Sequence, residues 1–539
     1  MRIRSIAALA VALSLLATQP VPTEAAAAPA HGGAIALDAA TIADLDAAFE
    51  ARKLTSERLV RMYLERIAAY DKQGPAINSV LVLNPKALQT ARELDAERRK
   101  QGPRSKLHGI PVLLKDNFDT FDLPTTAGSL MLEGSIPPDD AYVVRRLREA
   151  GAVILGKVNM SEFAYGDAHS SLGGRILNPH DPARSPSGSS GGTAAAIAAA
   201  FASVGLGTDT SGSVRDPAAV TGIVGLRPTT GLLSRDGIVP LALSFDTPGP
   251  MTRSVYDAAA TLEAMTGVDP ADPATQASAG KLRTDYTSAL DAKALAGARI
   301  GVARQFMGGD GDVDWVIEAA LRTMTDAGAT VVEVKFPNWL VESTQSFDRA
   351  LHFPEFKEQI ARYLATTGPT YPKTLADLIA RAEKIAVPRA DGAGPSPWRW
   401  GVFKAEAASG STSDYDYLAV RDHGIPMVRA TIEGLMAKHE LDAVVYPTSA
   451  TPAWTWLPHE GRRSKTQSPI LLSSVSGFPE LSVPAGFTSG RLPVGISFLG
   501  LRFTEPRLLA LGYSFEQLQQ ARRLPRYTPL LPDESIARR

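Results

Sequence analysis

Serine and glycine are concentrated in residues 185–218, SPSGSSGGTAAAIAAAFASVGLGTDTSGSVRDPA. A serine hydroxyl attacks a carbonyl carbon when a base takes its proton, and glycine lets backbone N–H groups converge on the resulting oxyanion. A flexible linker would be polar throughout, whereas here the helix-forming run TAAAIAAAF at 193–201 separates two polar pieces. The stretch therefore predicts two ordered turns that hold serines in place, one on either side of a helix.

The first of these turns fits the nucleophile elbow of α/β-hydrolases. GSSGG at 188–192 has the pattern G-x-S-x-G with Ser190 as the nucleophile, and a helix follows as that motif requires. Such an enzyme also needs a histidine and an acidic residue further along the chain. None of the histidines at 352, 423, 439 and 459 lies in a setting that identifies it. An esterase that uses Ser190 is therefore one open alternative.

A lysine upstream offers the serines a different partner. The apolar run in LHGIPVLLKDNFD, residues 107–119, leads into Lys115, which precedes Ser189 of SGSSGG (187–192) by 74 residues. Ser213 of GTDTSGSVRDPA (207–218) follows Ser189 after 24 residues. In order and spacing these three segments resemble the amidase signature family. Flanking segments such as DDAYVVRRLREAGAVILGKVNMSEFA and GFPELSVPAGF also resemble that family, and the resemblance covers roughly residues 40–520.

The resemblance implies a Ser-Ser-Lys relay that cleaves amide bonds without a metal or a cofactor. In it Ser213 is the nucleophile, Ser189 the bridging hydroxyl and Lys115 the ultimate base, while water is the final acyl acceptor. Lys115 accepts a proton only when it is neutral. The apolar run at 110–114 predicts that burial lowers its pKa.

The glycine-containing loop before the nucleophile is expected to stabilise the oxyanion. By resemblance, the donors are the backbone N–H groups of Thr210, Ser211, Gly212 and Ser213. The family often has glycine at the position of Ser211. It also has glycine where Ser187 opens the SGSSGG segment.

Three further side chains are predicted to support this loop without reacting. Asp209 and Arg215 flank it and are expected to hold its shape through hydrogen bonds or an ion pair. Ser190, if it is not the nucleophile of an elbow, is expected to be a supporting hydroxyl.

Apolar runs that alternate with amphipathic helices predict the fold class. From about residue 109 the runs GIPVLL, AVILGKV, GARIGVA, ATVVEVKF, LDAVVYP, ELSVPAGF and VGISFLGL read as strands, with helices between them at 142–150, 255–265, 316–327 and 506–519. We expect an α/β protein, a single large domain at 29–539 with a central mixed β-sheet flanked by helices, as in the amidase signature fold.

Two regions are expected to differ from this alternating pattern. Residues 38–102 read as helices, with Thr55 as an N-cap and Glu57 in the first turn that follows it. Residues from about 340 to 430 are less family-like and are expected to line the substrate cleft. Their aromatic residues are candidates either for substrate contact or for ordinary packing: Phe353, Phe356, Trp398 and Trp400.

Composition excludes several classes of function. The formal net charge of −1 argues against a nucleic-acid partner, and the absence of cysteine removes disulfides and thiolate chemistry. Asp310, Asp312 and Asp314 resemble a calcium loop, but Trp315 stands where that loop needs glycine, so we interpret them as a solvated loop.

The N-terminus reads as a secretory signal peptide at about residues 1–28. Arg2 and Arg4 precede an apolar run at 6–17, and small residues follow at 25–28. The run is shorter than the roughly 20 residues that span a bilayer, so no membrane anchor is expected. This predicts a periplasmic or secreted protein, which argues against the tRNA-amidating role found in part of the family and against an obligate partner subunit.

The substrate is the least determined part of the prediction. Segments such as SRDGIVPLALSFDTPGPM are most similar to secreted bacterial peptide amidases, which act on peptide C-terminal amides. Aryl or acyl amides suit the same catalytic core. A periplasmic binding protein is the non-enzymatic alternative, although it gives no reason for Lys115, Ser189 and Ser213 to occur together.

Overall fold

An eleven-stranded mixed sheet forms the centre of this protein in the computed structural model, which describes residues 33–389, 393–456 and 467–537. The predicted signal peptide lies outside the described residues. The strands are β1 Ala34–Ala36, β2 Val80–Leu83, β3 Pro111–Lys115, β4 Val153–Val158, β5 His169–Ser170, β6 Gly174–Arg175, β7 Val204–Asp209, β8 Val224–Arg227, β9 Thr247–Thr252, β10 Arg299–Val302, β11 Thr330–Glu333, β12 Ala443–Pro447, β13 Glu480–Phe487, β14 Pro493–Leu499 and β15 Ser535–Ala537.

Helices cover the sheet and form most of the region between β11 and β12. They are α1 Ile42–Glu50, α2 Ser56–Tyr70, α3 Ala87–Gln101, α4 Tyr142–Glu149, α5 Gly191–Ala198, α6 Arg215–Thr221, α7 Val255–Met265, α8 Gly311–Asp326, α9 Asn338–Ala365, α10 Leu375–Ala382, α11 Pro397–Ala407, α12 Tyr415–Ala419, α13 Ile425–Lys438, α14 Leu471–Ser476 and α15 Glu505–Gln519. Among the described residues, no helix combines the length and the apolarity needed to cross a bilayer.

The order of the strands confirms the predicted mixed sheet. Across the sheet they run β11-β10-β12-β14-β13-β8-β9-β7-β3-β4-β2. The pairs of β3 with β4 and of β3 with β7 are parallel, whereas the pairs of β7 with β9 and of β13 with β14 are antiparallel. Every residue of β3, β4 and β7 is buried, as expected for central strands covered on both faces. A single large α/β domain is therefore present.

The alanine-rich helix α5 is buried along its whole length. It packs closely on β7, where Gly205 faces it, and on the residue that follows β4, which faces Gly192 of the helix. A Cβ on Gly205 of β7 would lie 2.5 Å from Thr193, and a Cβ on Gly192 would lie 1.9 Å from the carbonyl oxygen of Asn159. Both approaches are too short for any larger side chain. Small residues thus let the start of α5 approach β7 and the segment that follows β4.

Most predicted elements are present, and three expectations need correction. All seven apolar runs form strands, and Thr55 caps α2 by accepting from the N–H of Arg58 at 3.1 Å. The segment 38–102 is not wholly helical, because VLVL forms the edge strand β2. The acidic stretch is not a solvated loop: Asp310 accepts from the N–H groups of Asp312 and Val313, so α8 begins at residue 311 instead of 316.

Candidate active site

Lys115 is the last residue of β3, and its side chain is fully buried. Its Nζ lies 2.7 Å from Ser189 Oγ, 2.8 Å from Thr208 Oγ1 and 3.3 Å from the Thr208 carbonyl oxygen. Asn117 also donates to Thr208 Oγ1, at 3.0 Å. The lysine that sequence placed 74 residues upstream is therefore in direct contact with the predicted bridging serine.

Burial lowers the pKa of Lys115 to about 7, although the negative charges of Asp209 and Asp246 act in the opposite direction. Transfer of an ammonium group away from water disfavours its charged form. A neutral amine has two N–H groups and one lone pair. The carbonyl of Thr208 can only accept, so it takes one of these N–H groups, and Thr208 Oγ1 is placed to take the other. That arrangement leaves the lone pair to face Ser189 Oγ. Burial thus lowers the lysine pKa in the direction that the apolar run at 110–114 predicts.

The turn before α5 holds two serines with different surroundings. Ser189 follows a cis peptide bond, and its carbonyl accepts from the N–H of Ser161 at 3.0 Å. Ser190 Oγ lies between backbone groups of Thr208, donating to the carbonyl at 3.2 Å and accepting from the N–H at 3.3 Å. The N–H of Ser190 donates to the carbonyl of Ser213 at 3.2 Å. Ser190 thus joins the two serine loops, and its buried hydroxyl is occupied by backbone contacts.

Residues 210–214, which include the predicted nucleophile Ser213 and are called the nucleophile loop below, connect β7 to α6. Gly212 has φ +106°, a left-handed value, and a Cβ there would lie 2.3 Å from Ile470. Its N–H donates to Asp209 Oδ1 at 2.9 Å. This contact differs from the predicted role of Gly212 as an oxyanion donor, because a carboxylate already accepts from that N–H.

Three of the four predicted oxyanion donors remain available. Within the described part of the chain, the N–H groups of Thr210, Ser211 and Ser213 have no acceptor. Ser213 is half-buried, whereas Lys115 is fully buried. The predicted nucleophile is therefore accessible from solvent and the predicted base is not.

A buried ion network holds this loop from beneath. Arg215 makes a two-pronged contact with Asp209, with Nε and Nη2 each 3.0 Å from a carboxylate oxygen, and its Nη1 lies 2.6 Å from Glu480. Arg227 contacts the Asp209 carboxylate at 3.0 Å. Burial alone would raise the pKa of Asp209, but the two guanidinium groups hold it well below its usual range. The ion pair predicted between Asp209 and Arg215 is present.

Ser187 shows why the related pattern has glycine at its position. Its φ is +63°, in the left-handed region that side chains other than glycine rarely adopt. Its hydroxyl donates to the carboxylate of Asp216 at 2.5 Å. This chain thus adds a charge-assisted hydrogen bond at a position where glycine would be free of strain.

The aromatic residues predicted to line the cleft have different positions. Phe356 is buried in the core of the helical region and stacks on Phe403, and Trp400 donates its indole N–H to Glu162 at 3.2 Å. Trp398 is 61% exposed and stacks on Tyr165 with 5.6 Å between ring centroids. Contacts within the protein therefore account for Phe356 and Trp400, two of the four residues, while Trp398 remains exposed.

Sequence reasoning missed several residues that hold the site together. Thr208 and Asn117 lie inside the quoted segments GTDTSGS and LLKDNFD, so their proximity to the predicted reactive residues was the available signal. Arg227 and Glu480 lie on β8 and β13, far from those segments in sequence. Only the strand order of the sheet brings them together with Asp209.

The fold and the site define a hydrolase of amide bonds, with a buried lysine and serines on two adjoining loops. The model of the Amidase family matches residues 58–509. A probable amidase of Arabidopsis thaliana is 36% identical over 501 residues, covering 90% of this chain and 91% of the relative. The glutamyl-tRNA(Gln) amidotransferase A subunit of Halorhodospira halophila is 37% identical, with coverage of 89% and 97%.

Solved structures agree with the sequence relatives. The peptide amidase of Stenotrophomonas maltophilia is 42% identical, with a TM-score of 0.83 and coverage of 91% of this chain and 99% of that one. The chain belongs to the amidase signature family. It is an enzyme that hydrolyses C–N bonds of linear amides.

Proposed function

We propose that this protein is an exported serine amidase that removes the C-terminal amide of peptides through an acyl-enzyme. The observation that carries the proposal is the 2.7 Å contact between Lys115 Nζ and Ser189 Oγ in a buried setting, on a turn bonded to Ser213. A neutral lysine there is a base with one free lone pair directed at a hydroxyl.

The proposed reaction has two steps, with protons passed along the relay. Ser213 Oγ attacks the amide carbon while its proton moves to Ser189, whose own proton moves to Lys115. The backbone N–H groups of Thr210, Ser211 and Ser213 stabilise the oxyanion. The relay then returns the proton to the leaving nitrogen, which departs as ammonia from a primary amide. Water attacks the ester carbonyl, and the relay restores Ser213 and releases a carboxylate.

The proposed substrate follows from the relatives taken together. Similarity to a peptide amidase over nearly its whole length supports peptide C-terminal amides. Amidotransferase A subunits are also relatives, but the signal-like residues 1–28 favour a periplasmic or secreted enzyme. We propose accordingly that it acts as a single chain without an obligate partner subunit.

Labelling and substitution at Ser213 test the chemistry. A fluorophosphonate probe should add its phosphonyl mass to Ser213, and Ser213→Ala should lose at least about 10³-fold in kcat. Ser190→Ala is the matched control, and it should keep kcat within about tenfold because, in the described part of the chain, the Ser190 hydroxyl hydrogen-bonds to backbone groups of Thr208 and to no side chain. Label on Ser190, or wild-type turnover by Ser213→Ala, would refute the proposal and favour the hydrolase elbow.

Turnover on a panel of peptide C-terminal amides, anilides and short aliphatic amides tests the substrate. The highest kcat/KM is expected for the peptide amides. If anilides alone were cleaved, the peptide assignment would fail while the mechanism stood. Export is tested separately by the N-terminal sequence of the protein recovered from the periplasm or the medium.

A further inference from the structure

Three carboxylates from three parts of the chain hold consecutive residues of the nucleophile loop. Thr210 donates its hydroxyl to Asp246 at 2.5 Å, and Ser211 donates its hydroxyl to Asp348 at 2.7 Å. The third carboxylate is Asp209, which accepts from the backbone of the next residue along. An ionised carboxylate only accepts hydrogen bonds, so each contact fixes which way the loop group points.

Asp209 is the member of this set that sequence indicated, and Asp348 is one of the two that it did not. Asp348 lies on α9, within the region that departs from the family pattern. Its partner Ser211 stands where the family often has glycine, which has no hydroxyl to donate. The contact between these two residues is therefore a feature that the family's common pattern cannot form.

Helix α9 also supports a second loop, residues 243–246, which in turn contacts the nucleophile loop. Glu355 accepts from the N–H of Ser244 at 3.0 Å, and Gln359 accepts from the N–H of Leu243 at 2.9 Å. The loop that contains these two residues continues to Asp246, which binds Thr210. One face of α9 thus reaches both Ser211 directly and Thr210 through this loop.

We infer that Asp348 is a positioning residue for the oxyanion donors, acting through the hydroxyl of Ser211. The inference rests on the proposed function, because it concerns the N–H groups that would face the tetrahedral oxyanion. Donors that are already aligned need no reorganisation when the charge develops. The contact to Asp348 holds the side chain of Ser211, and through it restrains the residue whose N–H is one of these donors.

The inference predicts an effect on kcat and not on KM. The oxyanion exists in the transition state and not in the bound substrate, so a misaligned N–H weakens only the transition state. Asp348→Ala is expected to lower kcat by about tenfold, the size of one hydrogen bond to a charged group, with KM unchanged within about twofold. Asp348→Asn keeps an oxygen that accepts from Ser211 and should retain most of the activity.

A double-mutant cycle with Ser211→Gly separates positioning from general damage. If Asp348 acts through the Ser211 hydroxyl, Asp348→Ala costs nothing further once that hydroxyl is gone. Glu342→Gln, an exposed acidic residue on the same helix, is the control and should match wild type. Two readouts are measured for every variant: steady-state kcat and KM on a peptide amide, and the rate at which a fluorophosphonate labels Ser213.

Each outcome has a definite meaning. Equal single effects on kcat and on labelling rate, with no additional effect in the double variant, support the inference. Labelling of Asp348→Ala at the wild-type rate, or multiplicative effects in the double variant, overturns it and leaves the proposed function standing. Failure to label Ser213 in the wild type overturns the proposed function and this inference together. Thermal unfolding of each variant identifies any loss that comes from misfolding.

Discussion

Lys115 carries an ionisable amine in a place where its charged form is poorly solvated. Among the described residues its hydrogen-bond contacts are with Ser189 and with two oxygens of Thr208, and none of these is a carboxylate. A carboxylate at that distance would have stabilised the ammonium form and removed the base. Burial therefore favours the neutral form of Lys115, and the groups that hydrogen-bond to its amine carry no negative charge that would oppose this effect at close range.

The pH dependence of activity follows from the pKa of this lysine. Because burial brings that pKa to about 7, the neutral fraction of Lys115 falls about tenfold for each pH unit below it. We expect kcat/KM to be constant above about pH 8 and to decline with a slope of one below about pH 6. The measurement is a pH profile on an uncharged peptide amide, with circular dichroism as a control for folding. A folded enzyme with a flat profile between about pH 5 and 8 would show that Lys115 is not the base.

At the scale of residues, the sequence predicted the reactive side chains but not the groups that hydrogen-bond to them. The order and spacing of Lys115, Ser189 and Ser213 were enough to place the first two in contact. The acceptors around Lys115 could not be assigned, because a threonine followed by aspartate has no pattern that marks it as a lysine partner. The occupied N–H of Gly212 was equally hidden, since it depends on the direction of one carboxylate.

At the scale of elements, a buried charge network joins three strands of the sheet and one helix. Asp209 ends β7, Arg215 begins α6, Arg227 ends β8 and Glu480 begins β13. The two positive and two negative groups are fully buried and contact one another. Removal of one partner from such a network leaves an uncompensated charge away from water.

Arg227→Met is therefore expected to be strongly destabilising. It removes one of the two cations that contact Asp209, and the free energy of unfolding should fall by about 3–5 kcal/mol. Denaturant unfolding followed by circular dichroism measures the change. The control is Arg61→Ala, which breaks an exposed ion pair with Glu57 and should leave the unfolding midpoint in place. Equal midpoints for the two variants would contradict the importance of the network.

The elements that sequence identified are those with strong periodicity. Continuous apolar runs predicted β3, β4 and β12, because strands covered on both faces need apolar residues throughout. Strand β9 has the sequence TPGPMT, whose prolines and glycine argue against a strand, and its antiparallel pairing with β7 depends on a distant segment. Such strands are set by their neighbours in the sheet and not by local preference.

At the scale of the whole molecule, the N-terminal and C-terminal parts of the described chain close on one another. Strand β1 pairs antiparallel with β15. Arg66 of α2 is buried and joins α5 to the C-terminal segment: its guanidinium donates to the carbonyl of Ala199 at 2.8 Å and to the carboxylate of Glu534 at 2.5 Å. Ala199 is the C-cap of α5, and the negative end of the helix dipole at this position also stabilises a cation. The C-terminal end of α5, the helix whose N-cap is Ser190, is thus joined through Arg66 to the N-terminal helix α2 and to the C-terminal segment.

Glu534→Ala tests whether this closure stabilises the whole fold. The substitution leaves Arg66 buried without its carboxylate partner, and we expect the free energy of unfolding to fall by about 3 kcal/mol. Glu534→Gln keeps an oxygen acceptor and should cost less. A second change, Arg66→Met, should recover part of the loss, since it removes the unpaired charge that causes it. Denaturant unfolding of the four proteins measures these differences, and a Glu534→Ala variant as stable as wild type would show that the ion pair is dispensable. The Arg66 contact lies at the C-terminal end of α5, away from Ser190 at the other end, so kcat of the folded Glu534→Ala enzyme should remain within about twofold of wild type. That result would separate the stability of the fold from the geometry of the site.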